Sequence, residues 1–268
     1  MRAERLRRAE RVMGMPVRVD VRDGEAGADG VEVVFAWLRE VDARFSTYRG
    51  DSEICRFNRG ELAPGGVSPD LREVLDRCQQ LRDATGGAFD ARAPLPGGVD
   101  PSGLVKGWAV DRAAALLQAA GARDFCIDAG GDLRLQGGPR RVGIRHPHRR
   151  RRLAAVLELA DAAVATSGAY ERGDHVVDPR TGGPPAGVVS VTVVGRDLAT
   201  ADALATAAFA MGEEGPAWTA GLRGHDAMTI LAGGRVLSTP GFLRHCAGGS
   251  VATSLQVRGR RDGARSGE

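Results

Sequence analysis

Four stretches of this 268-residue chain carry an apolar stripe at helical spacing, and short strand-like runs fall between them in no regular order. A stripe on a helix or an apolar face on a strand is stable only when another layer covers it. The stripes are Val31, Phe35, Leu38 and Val41; then Leu71, Val74, Leu75, Cys78 and Leu81; then Val110, Ala113, Ala114 and Leu117; and last Leu204, Ala208 and Met211. Helix-end signals accompany them. Ser68-Pro69-Asp70 supplies an N-cap hydroxyl, a proline at the first helical position and an acid in the first turn. Gly86-Gly87 and Gly121 stop the second and third helices. Strands are predicted over residues 16–21, 124–129, 133–136, 142–145, 154–159, 163–167, 188–194, 228–231 and 235–238. Gly130-Gly131 either turns a hairpin or lets backbone approach something bulky. Because strands and helices mix without strict strand–helix–strand alternation, the pattern indicates an α+β fold.

No internal repeat and no long Pro/Ser-rich linker divides the chain. A single domain is therefore expected over residues 12–257, with a basic extension at 1–11 and a disordered tail at 258–268. The net charge of +3 is small, and only 4% of the residues are aromatic. Nucleic-acid binding would call for aromatics among the basic side chains, so the arginine run at 149–152 reads as a solvated loop. No apolar run approaches the roughly 18 residues of a membrane span. Residues 1–12 contain no apolar signal core and the first cysteine is Cys55, so a cytoplasmic location without signal peptide or lipoprotein anchor is expected. Cys55, Cys78, Cys126 and Cys246 lack paired spacing and read as free thiols.

Lys106 stands apart, because all but this one of the 37 lysines and arginines are arginine. A compact ammonium suits a single phosphate oxygen where guanidinium offers a planar fork. Its surroundings, Asp-Pro-Ser-Gly-Leu-Val-Lys-Gly-Trp-Ala-Val-Asp over residues 100–111, pass from a Pro/Gly loop into a helix start, which favours anions. A solvated lysine in a plain first turn is the competing reading. Asp202 and Thr206, one helical turn apart, present a carboxylate and a hydroxyl on one face. Both are oxygen donors of the kind Mg²⁺ accepts, although such pairs also occur on solvated faces. The polar stretch over residues 45–58, with Tyr48 and Asn58, suits a ligand-facing loop as well as it suits a capped surface turn. His146, His148, His225 and His245 have no acidic or cysteine partners at ligand spacing and read as structural or exposed.

Taken in order, several motifs resemble one family. They are Met13-Gly14, Ser52-Glu53-Ile54-Cys55-Arg56-Phe57-Asn58, Gly87-Ala88-Phe89-Asp90, Ser102-Gly103-Leu104-Val105-Lys106-Gly107-Trp108-Ala109-Val110-Asp111 and Gly130-Gly131-Asp132. Thr166-Ser167-Gly168, His175-Val176-Val177-Asp178-Pro179-Arg180-Thr181-Gly182 and Ala201-Asp202-Ala203-Leu204-Ala205-Thr206-Ala207 complete the set. The chain resembles the FAD:protein FMN transferases of the ApbE family over about residues 12–243. The resemblance implies a single-domain ApbE-like α+β fold with mixed, largely antiparallel sheets and packed helices. It further implies that FAD is the substrate and that FMN passes to a threonine hydroxyl of an acceptor flavoprotein, releasing AMP. By the same likeness Asp202, Thr206 and the Gly103 carbonyl would hold Mg²⁺. Met13, Tyr48, Asn58, Ala88, Phe89, Asp90, Asp100, Lys106 and Val176 would line the FAD. Lys106 would act on the diphosphate, and His175 would be either the base for the acceptor hydroxyl or a group orienting the Asp178-Pro179 turn. Met15 and Val105 depart from the family's commoner Thr and Ala. Two other readings use the same residues: a Mg²⁺-dependent FAD pyrophosphatase with water as acceptor, and a non-catalytic FAD-binding module.

Overall fold

The computed structural model describes residues 5–23, 26–95, 97–149, 151–168, 176–249 and 254–256. In chain order the elements are β1 (Leu6–Val12), β2 (Met15–Val21), α1 (Gly27–Phe45), α2 (Glu53–Asn58), α3 (Pro69–Ala84) and α4 (Ser102–Ala119). Then come β3 (Phe125–Ala129), β4 (Asp132–Gln136), β5 (Arg140–Arg145), β6 (Leu153–Leu159), β7 (Ala163–Gly168) and β8 (Val188–Gly195). The last group is α5 (Leu198–Ala210), α6 (Gly215–Thr219), β9 (Asp226–Leu231), β10 (Val236–Ser238), α7 (Pro240–Arg244) and β11 (Ser254–Gln256). Nine strands form one sheet in the order β1-β2-β3-β4-β7-β8-β9-β10-β11, and β5 and β6 form a separate hairpin. Every pairing is antiparallel except β10 with β11. The architecture is α+β, as the sequence pattern indicates.

Strand alternation sorts side chains onto the two faces of the large sheet. Val17, Val19, Val21, Phe125, Ile127, Ala163, Ala165, Val191 and Val193 join the buried residues of α1, α3, α4 and α5 in the main core. On the opposite face Leu135, Val164, Val194, Met228 and Ile230 pack with Val142, Ile144, Leu157 and Phe242, so the β5–β6 hairpin and α7 cover that side. Polar side chains that share the helix-facing side are therefore enclosed between sheet and helices.

α4 runs through the middle of this layer. Its buried residues, from Leu104 to Leu117, occur on all sides and not on one stripe. Trp37 of α1 donates its indole N–H to the Ala109 carbonyl at 3.0 Å, and Trp108 donates to Glu73 of α3 at 3.0 Å. The start of α5 lies directly on α4. A Cβ added at Gly107 would sit 2.5 Å from the Leu198 carbonyl oxygen and 2.7 Å from the Ala199 Cα. One helical turn further on, Asp111 accepts the backbone N–H groups of Leu198 at 3.0 Å and Ala199 at 2.8 Å. Asp197 caps the same end by accepting from the Thr200 N–H. Two free amide donors at a helix N-terminus are thus satisfied by a carboxylate from the neighbouring helix.

Three sequence expectations need correction. The boundary between an extension at 1–11 and the domain falls inside β1, whose register with β2 runs unbroken from Leu6↔Val21 to Val12↔Met15. Charged residues in and just before it disguise the strand, because Arg5, Arg8 and Glu10 pair with Asp20, Glu32 and Arg39 across the surface. The stretch at 45–58 is not irregular throughout: Ser52 accepts the Cys55 N–H and caps the short helix α2. Finally, α4 begins at Ser102, with the Asp100 carboxylate accepting the Ser102 N–H at 3.0 Å. Lys106 therefore lies in the second helical turn, past the loop-to-helix junction.

A substitution of Gly107 by alanine tests the close approach. In an unhindered helix this change adds about 1 kcal/mol of stability. Here the added methyl must displace α5 backbone, and overpacking of this kind costs about 1–3 kcal/mol. Gly107→Ala is expected to lower the melting temperature by several degrees in thermal unfolding followed by circular dichroism; a raised value contradicts the contact.

Candidate functional site

Four elements deliver oxygen and nitrogen groups to one enclosed spot on the helix-facing side of the sheet. Lys106 comes from α4, Asp132 from the first position of β4, Ser167 from β7, and Asp202 and Thr206 from α5. Lys106 Nζ pairs with Asp132 Oδ2 and lies 3.4 Å from Asp202 Oδ1. Both carboxyl side chains are 5% exposed, whereas the lysine keeps 24%. Asp132 Oδ1 accepts the Thr166 backbone N–H at 2.9 Å, and the Ser167 and Thr206 hydroxyls are 3.2 Å apart. Burying charges is costly unless they are paired and hydrogen-bonded, and Asp132 is both.

Local sequence explains each placement. Ala163, Ala165 and Ser167 alternate with their neighbours on β7, so Ser167 shares the face that meets α5. Asp202 and Thr206 are four apart on α5, and Ala201, Ala203, Ala205, Ala207 and Ala208 keep that helix slim enough to lie deep in the core. Gly103 and Lys106, three apart, share a face of α4. A Cβ at Gly103 would come 3.1 Å from the Phe89 ring, so a larger residue would push the Gly87-Ala88-Phe89-Asp90 loop off the first turn. Gly130 (φ +65°) and Gly131 (φ +102°) turn β3 into β4, and the Gly130 N–H donates to the Pro16 carbonyl at 3.1 Å. That bond sets the turn beside the Met13-Gly14 turn of β1 and β2.

The residues expected to line FAD divide into groups. Tyr48, Asn58 and Asp100 share a cleft of about 340 Å³ with Thr47, Cys55, Arg59, Pro94 and Leu95. Tyr48 is 98% exposed at its rim. The Asn58 amide is engaged with both backbone groups of Val99, donating to its carbonyl and accepting its N–H at 2.9 Å each. Ala88 and Phe89 are buried in the main core. Asp90 accepts from Arg82 at 2.8 Å and from the Arg92 N–H at 2.9 Å. Met13 and Val176 are partly buried against the same core. The Asp100–Ser102 cap at the start of α4 links the cleft to the Lys106 cluster within about one helical turn. His175 lies outside the described residues.

The turn after His175 is held by its own carboxylate. Asp178 accepts the Arg180 N–H at 2.9 Å and its guanidinium at 2.8 Å, and Arg180 lies 3.3 Å from Glu214. Arg180 holds the Asp178 carboxyl below its ordinary value of 3.8. Asp111 goes the other way: burial raises its pKa, opposed by the two N–H groups it caps. All four cysteines are free thiols, and burial pushes Cys78 up to about 12 and Cys126 up to about 11. Neither supplies a thiolate at neutral pH.

Donor chemistry decides what could be held. Asp202, Thr206 and Ser167 present only oxygens, the set that a hard divalent cation prefers, and Lys106 adds a point charge for a phosphate. Among the described residues no three His, Cys, Asp or Glu side chains group as metal ligands. The expected donor set contains only one such side chain, Asp202, beside a hydroxyl and a backbone carbonyl, and a set of that make-up is not one such a grouping would include. Asp132 and Ser167, quoted in the sequence motifs without a role, are central to the geometry. Their signal was the Gly-Gly turn and the Thr-Ser-Gly strand end. No helix among the described residues is long and apolar enough to cross a membrane.

The chain is similar to known proteins in both sequence and fold. The ApbE family model matches residues 13–95 and 94–229. An FAD:protein FMN transferase from Vibrio cholerae is 33% identical over 239 residues, covering 66% of this chain and 72% of that protein. The solved flavin transferase ApbE from Vibrio cholerae superposes with a TM-score of 0.76 at 29% identity, covering 85% of this chain and 94% of the other. The apo form of Pseudomonas stutzeri flavinyl transferase ApbE gives a TM-score of 0.77 at 25% identity, covering 92% and 99%.

The Asp178–Arg180 pair predicts a pH signature. A carboxyl whose folded pKa is depressed stabilises the fold above its unfolded value, and that contribution disappears as pH falls through the folded value. Asp178→Asn is expected to melt lower than the parent at pH 7, with the gap closing below about pH 4. A gap of equal size at pH 3 and pH 7 contradicts the pairing.

Proposed function

This chain belongs to the ApbE family, and on that premise we propose that it is an FAD:protein FMN transferase that moves FMN from FAD onto a threonine hydroxyl of an acceptor flavoprotein and releases AMP. In this reaction the acceptor oxygen bonds to the FMN phosphorus, the bond to the AMP oxygen breaks, and the hydroxyl proton leaves. The observation that carries the reading is the 3.4 Å approach of Lys106 Nζ to Asp202 Oδ1 inside the buried cluster. Phosphoryl transfer asks a protein for positioning and charge neutralisation more than for covalent chemistry, and the cluster is built for both.

Each residue has a task. Lys106 binds and neutralises the diphosphate, on which negative charge develops as the bond breaks. Asp202, Thr206 and the Gly103 carbonyl would hold Mg²⁺. A bound Mg²⁺ supplies Lewis-acid stabilisation of the diphosphate oxygens. The cleft of Tyr48, Asn58 and Asp100 receives one end of the dinucleotide. His175 is assigned the acceptor proton, because imidazole is the side chain best suited in general to take up a proton near neutral pH.

The test is incubation with FAD, Mg²⁺ and a threonine-bearing acceptor, followed by in-gel flavin fluorescence after denaturation. Covalent fluorescence on the acceptor is expected; free FMN with an unlabelled acceptor would favour the pyrophosphatase reading instead. Asp202→Ala should lower transfer by about 100-fold or more, in line with the several kcal/mol a catalytic metal contributes. Full turnover of that variant at low Mg²⁺ would refute the assignment.

A further inference from the structure

We propose that Asp132 is a positioning residue of this transfer reaction, holding the Lys106 ammonium beside Asp202 while it fixes the strand that carries Ser167. The proposal rests on the transferase reading of the cluster. Asp132 opens β4 immediately after the Gly130-Gly131 turn, and it is 4% exposed. One of its oxygens accepts the Thr166 N–H at 2.9 Å and the other pairs with Lys106. A single carboxylate therefore ties α4 to β7. The next residue along β7 is Ser167, whose hydroxyl lies 3.2 Å from that of Thr206. Thr166 is further anchored on the other side of the strand, its hydroxyl 2.9 Å from that of Thr192 on β8.

The chemistry explains why such a clamp is needed. A lysine head rides on four rotatable methylenes, so its charge has no fixed position of its own. Asp132 has a short stem, and its backbone bond to Thr166 stops the carboxylate from turning with the lysine. The ammonium is thereby held at one point between two buried carboxylates, on the side of α4 that Gly103 shares. Placement to within an ångström is what a phosphoryl-transfer site depends on. Residues that orient a reacting or ligating group typically change activity by about 10–100-fold when replaced.

Lys106 is the only lysine, which gives the proposal a direct readout. An amine-reactive ester modifies one side chain, and the mass of the peptide containing residue 106 reports its rate. Asp132→Asn preserves shape and the acceptor for the Thr166 N–H but removes the charge facing Lys106. Expected are several-fold faster labelling of Lys106 in the full chain, a kcat for FMN transfer about 10–100-fold lower, and a smaller change in KM for FAD. Asp132→Glu, which restores the charge, should recover part of kcat. Wild-type labelling and kcat in Asp132→Asn would overturn the proposal. Faster labelling in Asp132→Asn with no transfer by the parent protein would sink the transferase reading and leave the clamp standing. Should Asp132→Asn fail to fold, nitrogen-15 lysine spectra of the parent decide: one ammonium signal protected from solvent exchange supports the clamp, and a solvent-averaged signal refutes it.

Discussion

The contact on which the rest depends is the one between α4 and the first turn of α5. Gly107 lets the two backbones approach to a distance no side chain would allow, and Asp111 closes the junction by accepting two α5 amides. Because both helices are rigid at this point, fixing the junction fixes what lies a turn to either side. Lys106 precedes Gly107 and Asp202 follows the capped residues by one turn, so helix packing brings the lysine stem and the carboxylate to the same place, where Asp132 pairs with the ammonium. The Gly-Trp-Ala-Val-Asp portion of the motif thus has a structural purpose, and the lysine in front of it carries the proposed chemical one.

A cluster of charges between a sheet and a layer of alanine-rich helix is expensive, and it persists only when each member is held from more than one side. Asp132 is bound by backbone and by lysine, and Thr206 faces Ser167 on a strand whose register is set by six residue pairs with β8. The apolar layer also lowers the local dielectric, which strengthens the pull of one ammonium on a phosphate. Fold and proposed chemistry meet here, since the same burial that makes the cluster costly makes it effective.

Much of this was legible in the sequence, for identifiable reasons. The Ser68 cap, the helical stripes and the double-glycine turns are local signals, and local signals fix the elements they belong to. The four-residue spacing of Asp202 and Thr206 is local too, and the lone lysine is a matter of composition. What escaped was whatever depends on partners far away in the chain. β1 looked like a basic extension because its charges are satisfied by residues of β2 and α1. Asp132 looked like the end of a turn because its partners lie 26 residues earlier, on α4, and 34 later, on β7. Asn58 was read only as a ligand contact, and the bonds of its amide to the backbone of Val99, 41 residues later, could not be seen in the local pattern.

The most direct measurement is diffraction from crystals soaked with FAD and Mn²⁺, with the metal located by its anomalous signal. The account predicts one peak about 2.1 Å from oxygens of Asp202 and Thr206, with the FAD diphosphate lying between that metal and Lys106. A metal bound elsewhere, or a diphosphate that does not reach Lys106, would contradict it.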